Sequence, residues 1–429
     1  MDSFKVSGPT KLSGTIEVEG SKNSALPIMA ASLLYNGKVV LNNIPRLKDI
    51  NSMISLLESM GALTQFENNS LSIDNSGLNS FRADYNLVRK MRASFIVLGG
   101  LLARKGRAEV SLPGGCAIGQ RPVDIHIKSF EALGIQTNIK EGYVYAQTSD
   151  INSNEEQRVE LEFPSVGATE NLMIFAAGRN QTTIINNAAK EPEIVDLANF
   201  LEKLGAKVSG AGTAFISIKG FDASKESPSE TVFNHDVIFD RIVAGTYAIA
   251  GIITESHITV KNVNHDHLKA FYNVLEQIGV NFILKDNEIE ILPNNILSSL
   301  NPVNLTTLPF PGFPTDLQAQ IMILLTQIKG KSKIFETIFE NRFMHVPEYT
   351  RLGAVIEATS QSASIAGPAK LKAAPVMCTD LRASAGLVLG AMVAEGETMI
   401  NRVYHLDRGY EEMEKKLKKA GLKIERVKE

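Results

Sequence analysis

The feature that most constrains this chain is a sixfold internal repeat. Six segments, LLESMGALTQF, FEALGIQTNI, LEKLGAKVSG, LEQIGVNFIL, TRLGAVIEA and LKKAGLKIERV, share one design: an amphipathic helix, a glycine, then an extended run. Apolar residues three and four apart give each helix one buried face, and the glycine behind it supplies the left-handed residue at which helices stop. The six glycines, Gly61, Gly134, Gly205, Gly279, Gly353 and Gly421, recur at roughly 70 residues, too long for a small solenoid unit and long enough for a βα-type module. A second set of segments keeps the same register. SKNSALPIMAASLL, KMRASFIVLGGLLA, SVGATENLMIFAAG, DRIVAGTYAIAGII, PTDLQAQIMILLTQ and DLRASAGLVLGAMV are apolar nearly all round, as helices buried on every side are. Between the two helices lie stretches such as KVVLNNI, AEVSLPG, TTIINNA, HITVKNV and ETMINRV, which alternate with the period of a half-buried strand.

Each copy therefore reads strand, buried helix, strand, outer helix, strand, strand. A chain of 429 residues exceeds what one hydrophobic core usually holds, so two domains are expected. The most polar and turn-prone stretch, ASKESPSE at 223–230, separates the third copy from the fourth, which gives three modules per domain.

With 44% hydrophobic and 21% charged residues the composition is that of ordinary globular cores. Net charge is −3, and no segment concentrates Lys and Arg as a nucleic-acid or membrane surface would. An anionic ligand must then be met by a local site. The opening MDSFKVSGPTKLSG lacks the apolar core of a signal peptide and no later run is long enough to span a bilayer, so the cytoplasm is the expected compartment. Two cysteines, Cys116 and Cys378, make neither a disulfide framework nor a zinc spacing.

The residues with chemical potential gather at helix entrances, where unpaired backbone N–H groups and the helix dipole favour anions. Lys22, Arg92, Arg241 and Arg382 open buried helices, and Arg121, Arg342 and Arg408 stand near the starts of outer ones. Any one of these is ordinarily a solvated or capping charge. Their recurrence at equivalent module positions is what marks them. The loop LPGGCAIGQRP at 112–122 carries the thiol of Cys116 close to the guanidinium of Arg121. A lone cysteine is usually inert and buried, and that reading is kept for Cys378. Asp316, in PTD at 314–316, reads either as the cap of a buried helix or as a base. His265 and His267, two apart, face different sides of a helix and suit a loop better than a metal site. GKS at 330–332 lacks the glycine of a P-loop, since Leu325 stands in its place.

Taken together, the motifs resemble those of the UDP-N-acetylglucosamine 1-carboxyvinyltransferases, the enolpyruvyl transferases acting on that sugar nucleotide. The matching segments are GSKNSALP at 20–27, MRAS at 91–94, PGGCAIG at 113–119 with RPVDIH at 121–126, SVGAT at 165–169, FPTDLQAQ at 313–320, ENRFMHV at 340–346, DLRAS at 380–384 and DRGY at 407–410. So many ordered motifs, covering essentially the whole chain, are far more specific than any one of them.

The resemblance implies a two-domain inside-out α/β barrel of six βαβαββ repeats, three per domain. One domain would span residues 22–230 and the other residues 1–21 with 231–429, the active site lying in the cleft between them. It implies transfer of the enolpyruvyl group of phosphoenolpyruvate to the 3-hydroxyl of UDP-N-acetylglucosamine with release of phosphate, the first committed step of peptidoglycan precursor synthesis. Carried over residue by residue, Lys22, Arg121 and Arg408 would bind the phosphate of phosphoenolpyruvate, and Arg342 and Arg382 its carboxylate. Asn23, Arg92, Arg121, Pro122, Val123, Asp124, Ile125, Ser165, Val166, Asp316 and Ile338 would hold the sugar nucleotide. Cys116 would be the proton donor and Asp316 the base. Phe163 and Pro164 stand before Ser165, where some members carry a nucleotide-binding lysine. No redox cofactor is expected, since no net electron transfer occurs, and no metal, since the sequence shows no metal-ligand constellation. The two alternatives are the sister transferase acting on shikimate 3-phosphate and a catalytically silent UDP-sugar-binding regulator.

Overall fold

Six inner helices follow the six apolar segments. They are Lys22–Ala31, Val97–Lys105, Val166–Ala177, Arg241–Ile253, Gln318–Leu325 and Leu381–Val393, and their residues are almost all buried. Two of them are entered through tighter 3₁₀ turns, Arg92–Ile96 and Thr315–Leu317. The outer helices bury one stripe each; Lys269–Ile278, for example, buries Phe271, Tyr272, Val274, Leu275 and Ile278 and leaves its polar side to solvent. All six repeat glycines adopt positive φ, from 79° at Gly134 to 112° at Gly421, the conformation that stops a helix and that side chains resist.

The computed structural model describes residues 2–89, 91–113, 123–148, 156–225, 227–293 and 297–428. Its strands form six open sheets of four strands, all with one plan, rather than a continuous barrel wall. In the second copy Arg82–Ala83 runs parallel to Arg107–Ser111, which pairs antiparallel with Tyr143–Thr148, which pairs antiparallel with Ile135–Lys140. That is the βαβαββ module.

Three copies borrow a strand from a distant part of the chain. The first copy takes its parallel strand from Ser229–Asp236, which lies against Gly37–Asn42. The fourth takes it from Ser13–Glu17, parallel to His257–Lys261. The sixth is completed by Asp2–Gly8, between Gly396–Asn401 and Lys423–Lys428. Two compact units result, one of Met1–Glu19 with Phe239–Glu429 and the other drawn from residues 20–238. The polar stretch 223–230 leads into the strand Ser229–Asp236, so the chain leaves the unit of residues 20–238 only after Ile238. At the crossings Ser21 N donates to Ile238 O (2.7 Å) and Asp240 N to Glu19 O (2.9 Å). Gly20 is required there, because a Cβ would stand 1.7 Å from Asn43 O.

Candidate active site

In the unit of residues 20–238, Ser21 caps the first inner helix, its Oγ accepting from Ser24 N at 3.3 Å. The next residue, Lys22, sits at the positive end of that helix and sends Nζ to within 3.1 Å of Asp49 Oδ2, both side chains being buried. A buried ammonium needs such a counter-ion. Asp196, on the helix Pro192–Lys203, holds the same corner together: it accepts from Ser24 Oγ and from Ile238 N (3.2 Å) and pairs with His235 Nε2 at 2.8 Å. Asn23 is half-buried in the first turn.

Arg92 opens the 3₁₀ turn that leads into the second inner helix, and His126 lies behind it. Gly99 N donates to Asn171 Oδ1 at 2.7 Å, which fixes the amide so that Nδ2 donates to Phe95 O (3.2 Å) and to His126 Nδ1 (3.1 Å). The histidine is therefore neutral with its proton on Nε2. Burial, assisted by the Arg92 charge, pushes its pKa down to about 3. Val123 stands at the entrance of the outer helix Asp124–Ala132, with Asp124 and Ile125 in its first turn. Ser165 caps Val166–Ala177, its Oγ accepting from Ala168 N at 3.4 Å. Further along that helix Glu170 is buried, and burial, reinforced by Glu193 and Glu191, raises its carboxyl well above the usual range.

In the unit containing residues 239–429 the central feature is Asp316. Its Oδ1 accepts from Arg342 Nη2 at 3.0 Å, and its Oδ2 accepts from Arg382 Nε at 3.2 Å with Nη2 at 3.1 Å. Both guanidiniums are almost fully buried, at 4% and 3% exposure, whereas the carboxylate keeps 27%. Burial alone would lower the pKa of Arg382, but Asp316, Tyr410 and Asp240 outweigh it and hold the guanidinium above its ordinary range. Asp316 is not a helix cap: it sits inside the 3₁₀ turn Thr315–Leu317, and neither that turn nor Gln318–Leu325 has a side-chain cap bond. Among the described residues, the inner helices of this unit are capped by Asp240, which accepts from Ile242 N and Val243 N, and by Asp380, which accepts from Arg382 N and Ala383 N.

Tyr410 stands beside Arg382, whose guanidinium carbon lies 5.5 Å from the ring centroid. Gln320 Nε2 lies within hydrogen-bond distance of the Tyr410 hydroxyl (3.1 Å), Thr246 Oγ1 (3.2 Å) and Asp316 O (3.0 Å), so one side chain ties two inner helices and Tyr410 to the site. Arg408 closes the 3₁₀ turn Val403–Arg408 just before it. His345 is buried and its pKa falls to about 4, because burial and Arg342 outweigh the pull of Asp380. Ile338 N donates to Glu336 Oε1 at 2.9 Å.

The structure thus brings together Asp316, Arg342 and Arg382, and separately Lys22 with Asp49. Cys116, Arg121 and Pro122 lie outside the described residues. Cys378 is buried and its thiol is pushed up to about 12, chiefly by burial. His265 meets Tyr272 OH at 2.8 Å, and among the described residues no three His, Cys, Asp or Glu side chains gather as metal ligands. GKS at 330–332 begins the strand Gly330–Phe335. Sequence reasoning gave no role to Asp49, His126, Glu336 or Tyr410, although His126 and Tyr410 close the motifs RPVDIH and DRGY; each acts through a partner on another element.

Residues 6–417 match the family model described as EPSP synthase (3-phosphoshikimate 1-carboxyvinyltransferase). The chain is 47% identical over 99% of both sequences to UDP-N-acetylglucosamine 1-carboxyvinyltransferase 1 of Caldanaerobacter subterraneus subsp. tengcongensis. It is 46% identical over the full length of both to UDP-N-acetylglucosamine 1-carboxyvinyltransferase of Pelagibacter ubique. Among solved structures it is similar in fold to the enolpyruvyl transferase NikO from Streptomyces tendae, with a TM-score of 0.89 at 22% identity over 99% of each chain. EPSP synthase from Acinetobacter baumannii gives a TM-score of 0.73 at 15% identity over the whole of both chains.

Proposed function

We infer the activity from the family to which this chain belongs, the UDP-N-acetylglucosamine 1-carboxyvinyltransferases within the wider EPSP synthase family. It transfers the enolpyruvyl group of phosphoenolpyruvate to the 3-hydroxyl of UDP-N-acetylglucosamine and releases phosphate, the committing step of peptidoglycan precursor synthesis in the cytoplasm. The observation that carries the reading is the end-to-end match, at 46–47% identity, to relatives bearing that name.

Protonating the methylene carbon of phosphoenolpyruvate creates an oxocarbenium-like centre, which the sugar hydroxyl attacks to give a tetrahedral ketal. Loss of a proton and of phosphate then yields the enol ether. The site needs an acid at the methylene, a base at the hydroxyl, and cations for a leaving group that gains charge. In this proposal Cys116 is the acid, Asp316 the base, and Lys22, Arg121 and Arg408 receive the phosphate. The two guanidiniums on Asp316 support its role by fixing where the carboxylate points. One carboxylate between two guanidiniums leaves a positive charge in excess, which suits Arg342 and Arg382 to the carboxylate of phosphoenolpyruvate. For the sugar nucleotide the proposed contacts are Asn23, Arg92, Arg121 to Ile125, Ser165, Val166, Asp316 and Ile338. Ser165's place at the entrance of Val166–Ala177 supports its part in this set, because a helix entrance offers a diphosphate backbone N–H groups beyond the one its cap takes up.

The description of the matching family model favours one other acceptor, shikimate 3-phosphate. Phosphate release decides. It is expected with phosphoenolpyruvate plus UDP-N-acetylglucosamine and not when shikimate 3-phosphate is the acceptor; the reverse result refutes the assignment.

A further inference from the structure

Glu336 follows the strand Gly330–Phe335 and is 3% exposed. A carboxylate so deeply buried is costly unless its lone pairs are filled. Here they are filled by four donors: Thr307 Oγ1 (2.8 Å), Ile338 N (2.9 Å) and Phe339 N (3.2 Å) to Oε1, and Thr315 Oγ1 (2.9 Å) to Oε2. All four are neutral, so among the described residues the group is held by hydrogen bonds rather than by a counter-ion.

The origin of these donors is what matters. Thr315 directly precedes Asp316, and its carbonyl also accepts from Arg342 Nη2 at 3.4 Å. Ile338 and Phe339 begin the segment that delivers Arg342, whose guanidinium carbon lies 5.4 Å from the Phe339 ring centroid. A closed circuit therefore runs from Glu336 through Thr315 to Asp316, across to Arg342, and back through Phe339 and Ile338. The backbone of Glu336 is itself anchored, since its N–H donates to Gln361 O at 2.9 Å, so the circuit is referred to the sheet. Side chains locked in this way hold a reacting group to the tolerance that chemistry needs.

We propose that Glu336 is a positioning residue that sets the Asp316 carboxylate and the Ile338 backbone against the acceptor sugar. This rests on the activity inferred above and deepens it. Loss of Glu336 frees Thr315 and the 337–342 segment, so Asp316 and Arg342 keep their chemistry and lose their aim. The effect falls on turnover and on both substrates, on the sugar nucleotide through Asp316 and Ile338 and on phosphoenolpyruvate through Arg342.

The test is a double-mutant cycle on the full chain, with kcat and both KM values measured for Glu336→Ala, Thr315→Val and Glu336→Gln, each alone and combined with Asp316→Asn. Glu336→Ala and Thr315→Val are expected to lower kcat about 10- to 100-fold. They should raise KM for UDP-N-acetylglucosamine and, through the misaimed Arg342, KM for phosphoenolpyruvate as well. Glu336→Gln keeps an acceptor for the two amides and should retain most of the turnover. In the Asp316→Asn background the same substitutions should cost less than about twofold in kcat, because the group they aim is already gone. Equal losses in both backgrounds would make Glu336 a scaffold residue only and overturn the proposal, as would full activity in a folded Glu336→Ala protein. If Glu336→Ala gives no cooperative melting transition, Thr315→Val carries the cycle alone. Failure of the inferred activity looks different, since the unmutated chain would then release no phosphate with UDP-N-acetylglucosamine.

Discussion

Replacing Asp316 by Asn separates two roles that the sequence leaves open. Asn is isosteric and would serve as a helix cap, so a capping Asp316 predicts little change. The structure predicts two losses. First, Arg342 and Arg382, at 4% and 3% exposure, lose the charge that compensates them. Breaking a buried pair by removing one partner costs about 3–5 kcal/mol, because the other charge stays buried. Asp316 is 27% exposed, so water reaches the gap, and the amide oxygen still accepts one hydrogen bond; the cost then falls to roughly 1–3 kcal/mol. In units of this size that is a fall in Tm of about 3–10 °C. Second, with the proposed base removed, kcat should fall by about 10²-fold or more, equivalent to roughly 2.7 kcal/mol of barrier. Phosphate release and differential scanning calorimetry on the same preparation measure both. Near-normal turnover would refute the base. An unchanged Tm would refute the Arg342–Asp316–Arg382 arrangement in solution.

Three further outcomes follow from other parts of the molecule. A small phosphonate epoxide resembling phosphoenolpyruvate should inactivate the enzyme with its label on Cys116, because Cys378 is buried with its thiol near 12; mass spectrometry finding the adduct on Cys378 would contradict this. His126 and His345 have folded pKa values of about 3 and about 4, below the ordinary 6.5. The unfolded chain therefore binds protons first, and stability is lost as pH falls below about 6.5, by about 2 kcal/mol per histidine at pH 5. Urea midpoints for His126→Gln should fall less steeply between pH 7 and pH 5 than those of the parent, and parallel slopes would refute the assignment. Gly386 leaves no room for a side chain, since a Cβ would stand 1.7 Å from Tyr349 Oη, which donates to Ala319 O at 3.0 Å. Gly386→Ala should destabilise by about 1–3 kcal/mol, and an unchanged melting curve would show that Tyr349 moves aside freely.

The sequence by itself determined the module. Helical periodicity, glycine stops and strand alternation are local patterns, written within a dozen residues, and each of the six copies carries them in full. The open helix entrances at Lys22, Arg92 and Arg382 were legible for the same reason, as was the family resemblance. Only the tertiary structure decided which strand completes which sheet. A strand such as Ser13–Glu17 has the same alternation whether it pairs with a neighbour or with His257–Lys261, and the choice comes from closing the sheets of each unit. The fate of Asp316 was likewise beyond local reading. Its sequence position suits a cap, yet its partners stand 26 and 66 residues away, and the 3₁₀ entry to Gln318–Leu325 turns the carboxylate toward them. The roles of Glu336 and His126 carry no local signature either, because a buried polar side chain is defined by the donors and acceptors around it, and those are assembled only when distant helices pack.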